Sequence, residues 1–144
     1  MKRLTYSFIA LMASVYITDL WSLDKNNNFE STKERDEYIA ITLRKLVKQM
    51  NDQAPFMVDE ETRFTSAVAL EKTINTSYTL INFSSEEVDA NVVNNHAWKH
   101  KNDIACKDKA TRILIDLGVS YVYLLYGNDG RLITRVVLDK YKCN

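Results

Sequence analysis

The sequence predicts an α+β fold: an antiparallel sheet of two β-hairpins with helices packed on one face, in the order α-β-β-α-α-β-β. Three observations predict it. Apolar residues repeat at helical spacing between Thr32 and Asn51. Two stretches, 62–84 and 119–138, alternate in the manner of paired strands. Two further helical segments lie between them, and a layer of helices on one side of a sheet is the simplest way to bury both kinds of apolar face. The chain has 144 residues, 46% hydrophobic and 26% charged, a globular balance rather than a disordered one. Nineteen basic side chains face nineteen acidic ones, so no net charge draws the chain toward nucleic acid or an anionic membrane.

The first residues read differently from the rest. Lys2-Arg3 precedes a mostly apolar run from Leu4 to Ile17, which is the basic start and apolar stretch of a signal peptide and short for a membrane span. Residues 1–21 are therefore expected to be a signal peptide or N-terminal anchor, and contact with a membrane is expected only if that segment is retained. No Cys lies in this run, so a lipoprotein anchor is not expected. Residues 22–32, polar and Asn-rich, read as a linker to a single domain over 33–144. The expected compartment is the periplasm or the exterior.

Ser31-Thr32-Lys33-Glu34 has the form of a capping box, with acidic residues in the first turn and Arg44, Lys45 and Lys48 later, as the helix dipole favours. Ile39, Leu43, Leu46, Val47 and Met50 form one stripe, which predicts a helix over 32–51 that stops before Pro55. In 62–84, Phe64, Ser66, Val68 and Leu70 alternate with Thr65, Ala67 and Ala69, and a second strand carries Tyr78 and Leu80. Neither Gly nor Pro marks the turn. Asn75 tolerates positive φ, which places the turn near Ile74–Thr76. Ser84-Ser85-Glu86-Glu87 is a second capping box and predicts the start of a surface helix there. A third helix is expected over 108–117, with Gly118 at its C-terminal cap. "VSYVYLLY" (119–126), the turn Gly127-Asn128-Asp129-Gly130 and "RLITRVVL" (131–138) form the last hairpin.

Cys106 and Cys143 are the two cysteines, and an even count in an exported chain favours a disulfide between them. No C-x-x-C spacing points to redox catalysis or structural zinc. His96, His100 and Asp103 would share a face if the second helix runs on, and that spacing can bind a divalent metal; the polar residues around them read equally as a solvated helix face. No G-x-S-x-G, H-E-x-x-H or phosphate-binding glycine loop occurs, so neither catalytic residues nor a cofactor are expected. Glu60 and Glu61 are adjacent carboxylates without a pattern around them. Tyr121 and Tyr123 share one strand face and Tyr126 the other. Such tyrosines either pair across strands within a sheet or present a recognition surface.

The segments "APFMVDEETRFTSAV", "YTLINFSSEEVD" and "ACKDKATRILIDLGVSYVYLLYGNDGRLITRVVLDKYKC" resemble small exported bacterial proteins, in particular the family named for quorum-sensing-regulated virulence factors. The resemblance spans roughly residues 50–143 and implies export and a disulfide, but no chemistry. The Gly-Pro-Gly turn of that pattern is replaced here by Glu71-Lys72-Thr73-Ile74-Asn75. The expected function is that of an exported, non-catalytic protein that binds a protein or envelope component through its sheet. The competing expectation is a small metal-dependent enzyme using His96 and His100.

Overall fold

A computed structural model describes residues 29–143, apart from the side chains at 98, 100 and 101–104. The signal or anchor segment and most of the expected linker lie outside the described residues. The elements in chain order are α1 (Thr32–Gln53), β1 (Phe56–Met57), β2 (Thr62–Leu70), β3 (Thr73–Leu80), α2 (Ala90–Ala105), α3 (Lys109–Asp116), β4 (Ser120–Tyr126) and β5 (Leu132–Leu138). The five strands form one sheet in the order β1-β2-β3-β4-β5. Among the described residues, no helix is long and apolar enough to cross a membrane.

The two hairpins are antiparallel, as expected, but β3 and β4 run parallel and make the sheet mixed. The reason is the connection. A chain that leaves one strand and returns through helices packed on one face re-enters at the end where that strand began, which gives a parallel neighbour. The join is made at that end, where Ser120 N–H donates to the carbonyl of Lys72 at 2.9 Å.

Helix α1 begins as its capping box predicts. Ser31 is the N-cap, and its Oγ accepts from Glu34 N–H at 3.1 Å. The stripe of Ile39, Leu43 and Val47 is buried, and Leu46 and Met50 pack against the same core. Fully burying Ile39 or Leu43 is worth about 1.5–3 kcal/mol each. Helix α3 is capped at both ends. Asp108 accepts from Thr111 N–H at 2.8 Å and from the Thr111 hydroxyl at 2.7 Å. At the other end Gly118, at φ 89°, donates to Ile115 and Val119 donates to Leu114, the paired bonds of a Schellman motif.

Two local expectations are corrected. The first hairpin turns at Glu71-Lys72, with Glu71 at φ 51°, and Ile74 and Thr76 are buried positions of β3. A turn at Ile74 would leave that side chain in water. Lys72 is held instead by Asp36 of α1, Nζ to Oδ1 at 3.1 Å. The second capping box forms a turn and no helix. Ser84 N–H donates to the Glu87 carboxylate at 2.7 Å, but α2 starts later, where Asp89 accepts from Asn91 and Val92 N–H. The turn is captured by the second hairpin: Ser85 donates from N–H and hydroxyl to Asp129, and Arg131 reaches Glu86 at 2.6 Å.

A bulge also reverses the expected phase of β2. Phe64 opposes Tyr78, but the next pairing is Ser66 with Ser77, so Thr65 is an extra residue. Phe64 therefore shares the core face with Ala67 and Ala69, while Val68 and Leu70 point to the opposite face. Ala67 is small enough for the end of α1 to come close. There the Asn51 amide bonds both backbone groups of Ala67, accepting from its N–H at 2.7 Å and donating to its carbonyl at 2.8 Å. This covers part of the exposed β2 edge, which short β1 leaves open.

Candidate interaction surface

The sheet has two faces of different character. On the first, Phe64, Ala67, Ile74, Tyr78, Tyr123, Leu125, Val136 and Leu138 form one cluster with buried residues of α1, α2 and α3. Asn94 of α2 donates to the Thr134 hydroxyl there at 2.6 Å, so the polar group of a buried strand position is satisfied. All three described helices lie on this face.

The tyrosine row that was a candidate recognition surface belongs to this covered face. Tyr123 is buried, with its ring 6.3 Å from that of Tyr78, which in turn meets Phe64 edge-on at 5.6 Å. Burial pushes the phenol of Tyr123 well above its usual range. Tyr121 packs against the same core. Burial, the Asp108 carboxylate and a bond with Thr111 act on its hydroxyl, with burial dominant and the net direction upward. Tyr123 is thus a buried ring of the sheet's core face, and Tyr121 is half-buried beside it. Tyr126 is on the opposite face and half-buried.

That opposite face is built from the other phase of each strand. The pairing places Arg63, Thr79 and Tyr126 in one row with Leu132, and Ser66, Ser77, Leu124 and Arg135 in the next. Val68, Asn75, Val122 and Val137 follow, then Leu70 and Thr73 with Ser120. Val68, Leu70 and Leu132 are 60%, 68% and 51% exposed. Val122 is buried, and Leu124, Tyr126 and Val137 are half-buried. None of these residues belongs to the core cluster, and no described helix packs on them. The signal in the sequence was the absence of alternation in "YVYLLY": both phases of β4 are apolar, as in a strand covered on both sides. The bulge at Thr65 hid Val68 and Leu70 by shifting their phase.

The remaining candidates are dispersed. Helix α2 runs through His96, His100 and Asp103, so the assumed helical spacing holds. The His96 side chain is exposed, and those of His100 and Asp103 lie outside the described residues. Among the described residues no three His, Cys, Asp or Glu side chains are grouped to hold a metal ion. Glu60 and Glu61 are exposed in the bend before β2. Cys106 and Cys143 are joined by a disulfide, with Cα atoms 5.3 Å apart, at the far end of α2 from the Gly127–Gly130 turn.

No family model matches the sequence, and no curated protein matches it significantly. Solved structures do share the fold. A candidate secreted protein from Pseudomonas aeruginosa superposes with a TM-score of 0.65 at 14% identity, over 76% of this chain and 96% of its own. The pilotin EpsS of the Vibrio vulnificus type 2 secretion system gives 0.66 at 12% identity, over 78% and 97%. The type II secretion system pilotin AspS of Vibrio cholerae gives 0.61 at 16% identity, over 77% and 97%. At these identities the likeness establishes the fold, shared over nearly the whole length of each of the three structures.

Proposed function

We propose that this chain is an exported, non-catalytic bacterial protein that binds a protein or envelope component through the sheet face that its described helices leave uncovered. One observation carries the reading: β4 is apolar on both faces while the described helices cover one. On the other side Leu124 and Tyr126 of β4 adjoin exposed Leu132 of β5, and exposed Val68 and Leu70 stand on β2 beyond the polar row of β3; exposed apolar area of this kind is the usual mark of an interaction site. Neighbours of the same fold that are named for secretion-system and secreted roles support the envelope setting. The resemblance to exported proteins and the basic-apolar start of the sequence support export.

Photocrosslinking in cells tests it. A crosslinking side chain at Val68 or Leu132 should give a discrete adduct in the envelope fraction, and one at Lys33, exposed on α1, should not. Equal adducts from all three positions, or none from the sheet face, would remove the reading. The metal-enzyme alternative requires stoichiometric metal binding that His96→Ala abolishes, which equilibrium titration reads directly.

A further inference from the structure

The face that the described helices leave uncovered carries charge of one sign. Its strand rows hold two charged side chains, Arg63 on β2 and Arg135 on β5, and no carboxylate. Both are exposed, and neither has an ion-pair partner among the described residues. Several basic side chains elsewhere are paired, Lys72 with Asp36, Arg112 with Asp116 and Arg131 with Glu86, while others such as Arg44 and Lys45 on α1 have no ion-pair partner among the described residues. The nearest carboxylates along the chain stand outside the rows. Glu61 is in the bend before β2, and Asp139 follows β5 with its oxygen bonded to Tyr141 and Lys142 N–H.

The two arginines stand in neighbouring rows on strands separated by three spacings, roughly 14 Å across the sheet. Leu124 and Tyr126 of β4 lie between them. We infer that the face takes an apolar segment of a partner protein flanked by carboxylates. The apolar side chains would cover Leu124, Tyr126 and Leu132, and the carboxylates would meet Arg63 on one side and Arg135 on the other. The guanidinium fork suits bidentate pairing with a carboxylate. An anionic membrane is the weaker match, since lipid recognition draws on clusters of about four to eight basic residues and this face offers two. The inference rests on the sheet face being the binding surface and adds the chemistry of what it binds.

The full chain, immobilised, is panned against a random display library of about twelve-residue peptides. Enriched peptides should carry Asp or Glu beside apolar residues. Their affinity should fall about tenfold or more in Arg63→Ala/Arg135→Ala, less steeply at high salt, with the melting temperature of the protein unchanged. Val68→Ser/Leu124→Ser reports on the face itself. If that pair weakens binding while the arginine pair does not, or if enriched peptides show no acidic excess, the carboxylate inference is overturned and the binding face stands. If neither pair matters, or nothing is enriched, both fall. Phosphatidylglycerol vesicles that bind the parent and not the arginine pair, in the absence of peptide binding, would replace the protein segment with lipid and overturn the inference.

Discussion

Arg112 of α3 donates from Nη1 to the backbone carbonyl of Cys143 at 2.6 Å, so Cys143 is held by this side chain as well as by its bond to Cys106, which directly follows α2. Both attachments act on a segment, Asp139 to Cys143, that has little apolar surface of its own to bury.

The double variant Cys106→Ser/Cys143→Ser should therefore lose about 2–4 kcal/mol, the loop-entropy scale for a crosslink spanning 37 residues. Denaturant unfolding with and without reductant measures it. Arg112→Met in the oxidised protein should cost less, about 1 kcal/mol, and should speed hydrogen exchange at the Cys143 amide. Two free thiols in protein from its native compartment would remove the crosslink altogether.

Gly127 should be less replaceable than Gly130. A Cβ at Gly127 would lie 2.5 Å from Ser85 N and 2.9 Å from Ser84 C, so the backbone of the preceding turn would have to move. Gly130 sits at φ 76° with open space around it, and Ala there carries only the cost of a left-handed conformation, about 1 kcal/mol. Thermal melting of Gly127→Ala and Gly130→Ala should rank them in that order; the reverse order would mean that the two turns are not in contact.

The contact between those turns should also be visible in acid. The Ser85 hydroxyl, followed by the N–H groups of Arg131 and Ser85, holds the Asp129 carboxyl below its ordinary value of 3.8. A carboxylate depressed by folding contributes stability that is present above its unfolded value and is lost as pH falls through the folded one. Ser85→Ala should raise the Asp129 titration midpoint, read by carboxyl carbon shifts, and flatten the acid limb of the stability profile below about pH 4. An unchanged midpoint would mean that the bond is not formed in solution.

Asn51→Ala should release both backbone groups of Ala67 at the β2 edge. The loss is about 1 kcal/mol, and the sharper readout is faster exchange of the Ala67 amide together with a greater tendency to associate through the opened edge. Exchange as slow as in the parent would show that another group covers this edge.

Export should depend on the run from Leu4 to Ile17. Ile9→Asp/Leu11→Asp should leave the protein in the cytoplasm, because two carboxylates prevent an apolar run of this length from engaging the export machinery. Fractionation and immunodetection decide it, and a variant still found outside the cytoplasm would end the signal-peptide reading.

What the sequence by itself determined is what local chemistry specifies. The stripe of Ile39, Leu43 and Val47 with Ser31 before it makes α1, Asp108 and Gly118 bound α3, and Gly127 to Gly130 turn the last hairpin. In each case the deciding atoms lie within a few residues of one another. The tertiary structure decided the rest. The turn went to Glu71-Lys72 because Ile74 gains more from the core than Asn75 gains from a turn, and Asp36, far away in sequence, receives Lys72. The box at Ser84 stayed a turn because Asp129 and Arg131 hold its residues. The bulge at Thr65 set which side chains of β2 face outward, and the helical crossover made β3 and β4 parallel. Alternation cannot separate the faces of β4, where both phases are apolar. Burial of Tyr123 and exposure of Arg63, Val68 and Arg135 follow from which face the described helices occupy, a choice made by packing between segments distant in sequence.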